Sequence, residues 1–311
     1  MLAIVIPFYK LTFFEETLKS LVRQTDKRFK VYIGDDASPE NPLDLLKKVR
    51  GQFDLEYVRF ETNIGSYSLG KQLKRCIGMI GDEEWLMLLG DDDYLSKDVV
   101  KNWYYYYKDF YNKAEVIRFS SIMLDINSDS NTKVFKHPKW ENGINSYYRR
   151  YIGQSRSTLS EYIFSKKAYL NYGISNYPLA WHSDDKMWLD YSFENKIYSI
   201  NESPIYIRIS NLSISGKQDN LDLKKLAENQ FFHYLIKNRI ETLDNDKSLE
   251  FVLAYEISIK KIRKPILKDW LFLLPFYIKY FEIFTFLKFF RRVFNNIFIY
   301  ETKGINNNTN I

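Results

Sequence analysis

The chain begins with a short apolar, β-branched run, Leu2-Ala3-Ile4-Val5-Ile6, that stops at Pro7. Continuous apolar runs of this length suit strands buried on both faces. An amphipathic stretch from Thr12 to about Gln24 comes next and predicts a helix. The two patterns then alternate. Strands are predicted at Phe29–Gly34, Leu55–Phe60 and Trp85–Leu89, with helices at Pro42–Val49, at about Tyr67–Ile80, and from Ser96 as N-cap to about Tyr107. Asn63-Ile64-Gly65 reads as a turn. Short connections between alternating strands and helices predict an α/β fold with a parallel, doubly wound sheet. Such sheets bind ligands at the carboxyl ends of their strands. Four polar loops fall there: Pro7-Phe8-Tyr9, Asp35-Asp36-Ala37-Ser38, Asn63-Ile64-Gly65 and Asp91-Asp92-Asp93.

Near Ala114 the rhythm changes. Strands are predicted at 115–123, 132–136 and 158–164, with helices around 142–152 and 166–171. Ser183-Asp184-Asp185 leads into an amphipathic helix carrying Met187, Trp188 and Leu189, and a strand at 203–209 precedes the polar loop Ser210 to Asn220. Residues 1–112 and 113–220 are expected to be halves of one domain, 221–303 a helical extension, and the Asn-rich 304–311 a disordered tail. Two helices are expected in 221–263, separated near Asp244-Asn245-Asp246, and Pro265 and Pro275 should break the helical pattern beyond them. From Trp270 to Tyr300 aromatic residues are dense, but Lys279, Glu282 and Lys288 interrupt them before a membrane-spanning length is reached. On a helical wheel Thr285, Lys288, Arg292, Asn295 and Asn296 share one side, while Phe286, Phe289, Phe290, Val293, Ile297 and Tyr300 take most of the rest. That pattern fits a helix lying on a membrane, or one packed on its own domain or a partner.

A hydrophobic share of 45% with 27% charged residues describes a folded chain rather than a disordered one, and 17% aromatics implies some aromatic surface. A single cysteine, Cys76, excludes a disulfide framework and fits a reducing cytoplasm. The N-terminus lacks the basic segment of a signal peptide. The net charge of +6 is uneven: from Lys260 onward ten basic residues face three acidic ones, a net +7, which leaves −1 for the rest. A basic tail points to an anionic membrane surface rather than to nucleic acid.

Three adjacent carboxylates at the end of a buried strand need a positive partner. Mn2+ or Mg2+ carrying a phosphate-bearing ligand would supply it, because hard oxygen donors suit these ions. A solvated acidic turn capping the next helix would look the same locally. No G-x-G-x-x-G comes after the first strand, which argues against a nicotinamide-binding enzyme, and Pro7-Phe8-Tyr9-Lys10 is not the Gly-rich, basic loop of a nucleotidyltransferase.

Ile4-Val5-Ile6-Pro7-Phe8-Tyr9, Asp35-Asp36-Ala37-Ser38, Asn63-Ile64-Gly65, Gly90-Asp91-Asp92-Asp93 and Ser183-Asp184-Asp185, in this order and spacing, resemble family 2 glycosyltransferases over about residues 1–215. The resemblance implies a GT-A fold: a Rossmann-like, mostly parallel sheet with helices on both faces, here with a C-terminal helical extension. It implies a nucleotide-sugar half at 1–112 and an acceptor half at 113–220. The implied reaction is a metal-dependent, inverting transfer of a sugar from a nucleotide diphosphate, a UDP-sugar, to an acceptor hydroxyl. Asp36 would read the uracil, with Pro7, Phe8, Tyr9 and Asp35 around the nucleotide and Asn63 and Lys71 nearby. Asp92 would hold the metal, Asp91 the ribose or a metal-bound water, and Asp93 would stand behind them or cap the helix. Gly90 occupies the family's first acidic position. Asp185 would be the base and Asp184 would orient the acceptor, with Trp181 and His182 beside them. Ser210 stands where relatives carry a histidine, which turns Arg208 or Lys217 into the expected phosphate contact. The expected setting is a cytoplasmic enzyme that builds a surface glycan on a lipid-linked acceptor, and the basic aromatic tail alone adds the expectation that it lies peripherally at the inner face of the membrane. The alternative is a catalytically silent nucleotide-sugar-binding or membrane-scaffold subunit, suggested by Gly90 and Ser210.

Overall fold

The computed structural model describes residues 1–125, 134–209 and 220–296. Part of the predicted strand 132–136, Ser210, Lys217 and most of their loop, Ile297, Tyr300 and the 304–311 tail lie outside the described residues. The chain divides into two units, Met1–Leu221 and Asp222–Ile311.

In the first unit β1 (Leu2–Phe8), α1 (Phe14–Val22), β2 (Phe29–Asp35), α2 (Leu43–Val49), β3 (Asp54–Arg59), α3 (Leu69–Ile77), β4 (Trp85–Leu88), β5 (Tyr94–Leu95) and α4 (Val99–Phe110) succeed one another along the chain. The first four strands are parallel and lie β3-β2-β1-β4. Phe8 pairs with Asp35, so β1 and β2 end level, while β4 pairs with β1 only as far as Leu88 opposite Val5, and the acidic loop starts alongside the last residues of β1. Alternation along β1 builds two cores. Leu2, Ile4, Ile6 and Phe8 face Phe14, Leu18, Val99 and Trp103 of α1 and α4. Ala3 and Val5 face Leu73, Cys76 and Ile77 of α3 on the other side. The apolar run reads as continuous because helices cover both faces of the sheet.

The sheet continues through β6 (Val116–Asp125), β7 (Trp140–Glu141), α5 (Gly143–Tyr151), β8 (Tyr162–Ser165), α6 (Lys166–Tyr172), α7 (Ser183–Tyr191) and β9 (Ile197–Ile209). β8 inserts antiparallel between β4 and β6, and β9 runs parallel to β6. The expected strand 158–164 splits into a 3-10 turn, Leu159–Glu161, and then β8. The expected helix at Ser96 starts only at Val99, because Tyr94 and Leu95 first pair with Tyr206 and Ile205 of β9. Short two-residue strands such as β5 carry no periodicity of their own and exist only through their partner.

The second unit contains α8 (Leu221–Asn238), α9 (Asn245–Ile262), α10 (Leu267–Lys279) and α11 (Ile283–Phe294). Asp244 caps α9, accepting from the Lys247 amide at 3.0 Å, at the expected break. Pro275 does not break its helix. It lies on the exposed side of α10, where water can take the Leu271 carbonyl that the missing N–H leaves unpaired. Glu256 of α9 is fully buried and accepts from Tyr277 of α10 (2.8 Å), from Lys260 (2.5 Å) and from Arg292 of α11 (2.6 and 2.9 Å). Burial would raise this carboxyl, but the bonds from Arg292 and Lys260 hold it below its usual range. A lone buried carboxylate would be costly, so the three partners fix the rotation of α10 and α11 about their axes. Arg292, expected on an outer polar edge, is thereby turned inward. No helix among the described residues is long and apolar enough to cross a membrane.

Candidate functional site

The loops after β1, β2 and β4 are stitched to one another at the carboxyl edge of the sheet. The amides of Tyr9 and Lys10 donate to Asp91 Oδ2 at 2.8 and 2.9 Å. Ser38 Oγ donates to the Tyr9 carbonyl at 2.6 Å, and the Asp36 amide to the Phe8 carbonyl at 3.1 Å. Thr17 of α1 donates its hydroxyl to the carbonyls of Asp91 and Asp93. The carboxylate loop is thus built into the first core.

The two carboxylates after β2 are structural in their immediate contacts. Asp35, fully buried, accepts from the Ser38 amide (2.8 Å), from the Tyr57 hydroxyl (2.6 Å) and from Arg59 (2.8 Å). Asp36 accepts from the amides of Ile64 and Gly65, both at 2.8 Å, and from Arg75 at 2.6 Å. A side chain at Gly65 would collide with Asp36 Oδ2, so the close backbone approach requires glycine there. Of the roughly four lone-pair positions of a carboxylate, Asp36 has used three on this turn. Asn63 closes the turn by accepting from the Ser66 amide at 2.9 Å, and Lys71 is exposed on the first turn of α3.

The three acidic residues after β4 differ sharply. Asp93 is buried; Ser160 donates to Oδ2 (2.5 Å) and the Arg208 amide to Oδ1 (2.9 Å). Burial and the Asp92 charge push its carboxyl up to about 7. Asp91 is pushed up to about 6 by burial and by Asp92. Asp92 is raised by burial as well, yet its carboxylate accepts nothing from another described residue. A Cβ on Gly90 would fall 2.9 Å from Asp92 Oδ1 and 3.2 Å from Asp93 Oδ2. No group of three potential metal ligands gathers among the described residues. One unspent carboxylate still fits Mg2+ or Mn2+, which take one or two protein carboxylates and fill the remaining positions with phosphate oxygens and water.

The second acidic pair heads α7. Asp185 Oδ2 accepts from Arg150 of α5 at 2.6 Å and lies 2.7 Å from His182 Nδ1. Burial alone would raise Asp185, but the Arg150 charge and the His182 bond hold it below the usual carboxylate range. Asp184 goes the other way: burial and the Asp185 charge push it up to about 7. Asp185 is 3% exposed, whereas Asp184 keeps a larger accessible share. Behind Asp185, Arg150, Tyr162 and Trp188 line a cavity of about 10 Å³, room for one water. The cavity is too small for an acceptor sugar, and of the pair Asp184 is the member with the larger solvent contact. Leu179, Ala180 and His182 have left-handed φ of 58°, 53° and 62° just before α7. Such backbone costs on the order of 1–3 kcal/mol per residue and concentrates at functional sites.

The two acidic groups border one 3-10 turn. Ser160 in it holds Asp93, and Tyr162, two residues on, lines the cavity with Asp185. Two sequence assignments are corrected. Phe8 is wholly buried, with its ring 4.7 Å from Phe14, because it shares the inward parity of Ile4 and Ile6. Arg208 is turned inward to the Asp92 carbonyl and Glu16 and stacks on Phe13 at 4.1 Å, so it pins the acidic loop instead of reaching outward. Pro7 is partly covered and Tyr9 exposed at the strand edge, while Trp181 and His182 are partly exposed beside the pair. Residue spacing gave no signal for Arg150, Ser160 or Arg75.

The family model for Glycosyl transferase family 2 matches residues 3–169, just over half of the 311-residue chain. No curated protein matches. Among solved structures, S. aureus TarS 1-349 superposes with a TM-score of 0.60 at 17% identity, over 90% of this chain and 80% of that one. The same protein in complex with UDP-GlcNAc gives 0.62 at 16%, over 90% and 79%, and in complex with UDP 0.54 at 16%, over 85% and 81%. At these identities the likeness shows the fold, a GT-A α/β architecture.

Proposed function

Because the chain belongs to glycosyl transferase family 2 and is a glycosyltransferase, we propose that it moves a sugar from a UDP-sugar to a hydroxyl of a glycan or lipid-linked saccharide, with inversion. The observation that supports this most is the contrast between Asp92, unspent at the end of β4, and the Asp184–Asp185 pair across the same 3-10 turn. The donor side is the edge formed by Pro7, Tyr9 and the Asp36-held turn at Ile64-Gly65, with Asp36 positioning that turn and keeping one lone pair for a ring N–H. That the solved neighbour was crystallised with UDP and UDP-GlcNAc favours this nucleotide class.

Asp92 would hold Mn2+ or Mg2+, and Asp91 would steady the loop through the Tyr9 and Lys10 amides. Bound there, the ion supplies positive charge for the diphosphate as it leaves. We assign the base to Asp184 in place of Asp185. Asp185 is buried and engaged by Arg150 and His182, whereas Asp184 is the more accessible of the two and is raised by burial and the Asp185 charge, the direction a general base needs. Asp185 then acts as the anchor that keeps Asp184 raised, and His182 and Trp181 flank the acceptor. A cytoplasmic site of action, where nucleotide sugars are available, goes with this reading, and the product would be a surface polysaccharide.

The test is a panel of nucleotide sugars assayed for donor hydrolysis with Mn2+ or Mg2+, alongside Asp92→Ala and Asp184→Asn. Release from one UDP-sugar, lost on chelation and in Asp92→Ala, is expected. Metal-independent release, or release untouched by Asp92→Ala, would remove Asp92 from the metal. UDP binding with no turnover, even with lipid-linked acceptors present, would favour the catalytically silent subunit.

A further inference from the structure

The second unit carries an apolar surface that includes none of the residues assigned above to the transfer reaction. On α10, Leu267, Leu271 and Ile278 are 61%, 58% and 56% exposed. On α11, Ile283, Leu287, Phe290 and Phe294 are 56%, 60%, 47% and 56% exposed. Both sets keep the i, i+4, i+7, i+11 spacing of a single helical face, partly in α10 and fully in α11. These faces are additional to the ones already buried, since Trp270, Leu273, Tyr277 and Phe289 fill the interior. The arrangement is held in place: Arg292 and Tyr277 bind the buried Glu256, and Phe289 stacks on Tyr277 at 4.3 Å. Rotating α11 to hide its outer phenylalanines would pull Arg292 off Glu256.

The charges beside these stripes select the occupant. A basic residue directly succeeds an exposed apolar one at Lys268, Lys279, Lys288 and Arg291. Lys279 is paired with Glu241, and Arg263 with Asp269; Lys288 lies within reach of the Glu282 charge without a direct ion pair, and Lys268 and Arg291 form no ion pair among the described residues. The sequence from Lys260 onward carries ten basic against three acidic residues. A protein partner for this face would need acidic groups matched to three separate cations, whereas an anionic bilayer offers negative charge everywhere along its plane. Large apolar side chains at the acyl boundary with lysine and arginine at headgroup level are what interfacial helices present. We infer that the outer face of α10 and α11 is a docking surface for an anionic lipid bilayer, lying on it and not crossing it.

The experiment is sedimentation of the full chain with vesicles of phosphatidylglycerol and phosphatidylcholine, against vesicles of phosphatidylcholine alone. Partition into the pellet is expected with the anionic vesicles, weakening steeply with added salt. Lys268→Glu with Arg291→Glu should weaken it roughly tenfold or more, because each cation near such a surface contributes several-fold. Leu287→Ser with Phe290→Ser, both exposed and outside the donor site, should do the same while leaving UDP binding and the helical circular dichroism unchanged. A chain that stays in the supernatant with anionic vesicles overturns the inference, as does equal binding to both vesicle types. Concentration-dependent association in light scattering that Leu287→Ser with Phe290→Ser abolishes, without vesicle binding, would assign the face to a second copy of the chain instead. None of these readouts depends on the transfer reaction, so either reading can fail alone.

Discussion

Asp91-Asp92-Asp93 and Asp184-Asp185 are both runs of carboxylates in the first unit, and they solve like-charge repulsion in different ways. The loop after β4 is satisfied by amides and a hydroxyl, with one carboxylate left over. The pair at the head of α7 has an arginine on one member, which drives the two apart: Asp185 down, Asp184 up to about 7. The first arrangement leaves the Asp92 carboxylate without a hydrogen-bond donor from any other described residue, with only the more distant charges of Arg208 and Lys10 acting on it. The second has its cation built in, and the asymmetry that results is what general acid–base chemistry needs.

The largest effect that could break this comparison is on turnover. Asp184→Asn should lower kcat by about 10²–10⁴-fold at unchanged metal dependence, the usual range for a lost base. Asp185→Asn should cost less; the reverse order, read from steady-state rates, would hand the base back to Asp185. Arg150→Ala should destabilise the fold by about 3 kcal/mol in urea unfolding, because it strands the buried Asp185 charge. Adding Asp185→Asn to that variant should restore much of the loss. If Arg150→Ala alone is neutral, the ion pair does not hold the site.

The pH profile sharpens the same point. A base must be unprotonated, so kcat/KM should rise with pH through about 7, the position to which burial and Asp185 push Asp184. Removing the neighbouring charge in Asp185→Asn should move that acid limb to lower pH. A limb that does not move would show that Asp184 is not the titrating group. The smallest effect is expected at Tyr57→Phe, about 1–2 kcal/mol of stability from one hydrogen bond to Asp35, with metal dependence untouched.

Much of the fold is legible in the chain because β1 and β4 are covered on both faces and read as unbroken apolar runs, while the edge strand β3 shows itself by alternation, with Leu55 and Tyr57 packed on the core on either side of Glu56. The break before α9 is equally visible, since Asp244 is a capping residue in the right place. What the chain hides is pairing at a distance. Arg150 lies 35 residues from Asp185, and Ser160 lies 67 from Asp93, with nothing local to announce either. Phe8 could have been placed inside from the parity of Leu2, Ile4 and Ile6 alone. The wheel of α11 misled for a different reason: it ranks residues by polarity, and it cannot know that Glu256 draws Arg292 inward.

Gly90 sits where two carboxylates of the acidic loop come close to the backbone. Its amide donates to Ser160 Oγ at 3.0 Å, and that hydroxyl in turn fixes Asp93 Oδ2, one of the two oxygens that any side chain at 90 would strike. The loop has closed over the position where the family resemblance expects an acid. A carboxylate installed there would first meet Asp92 Oδ1, which no other described residue holds and which can swing aside, and then Asp93 Oδ2, which Ser160 and the Arg208 amide hold through the carboxyl group. The glycine therefore keeps room for Asp92 to move, and the fixed Asp93 sets how far a side chain at 90 could lean.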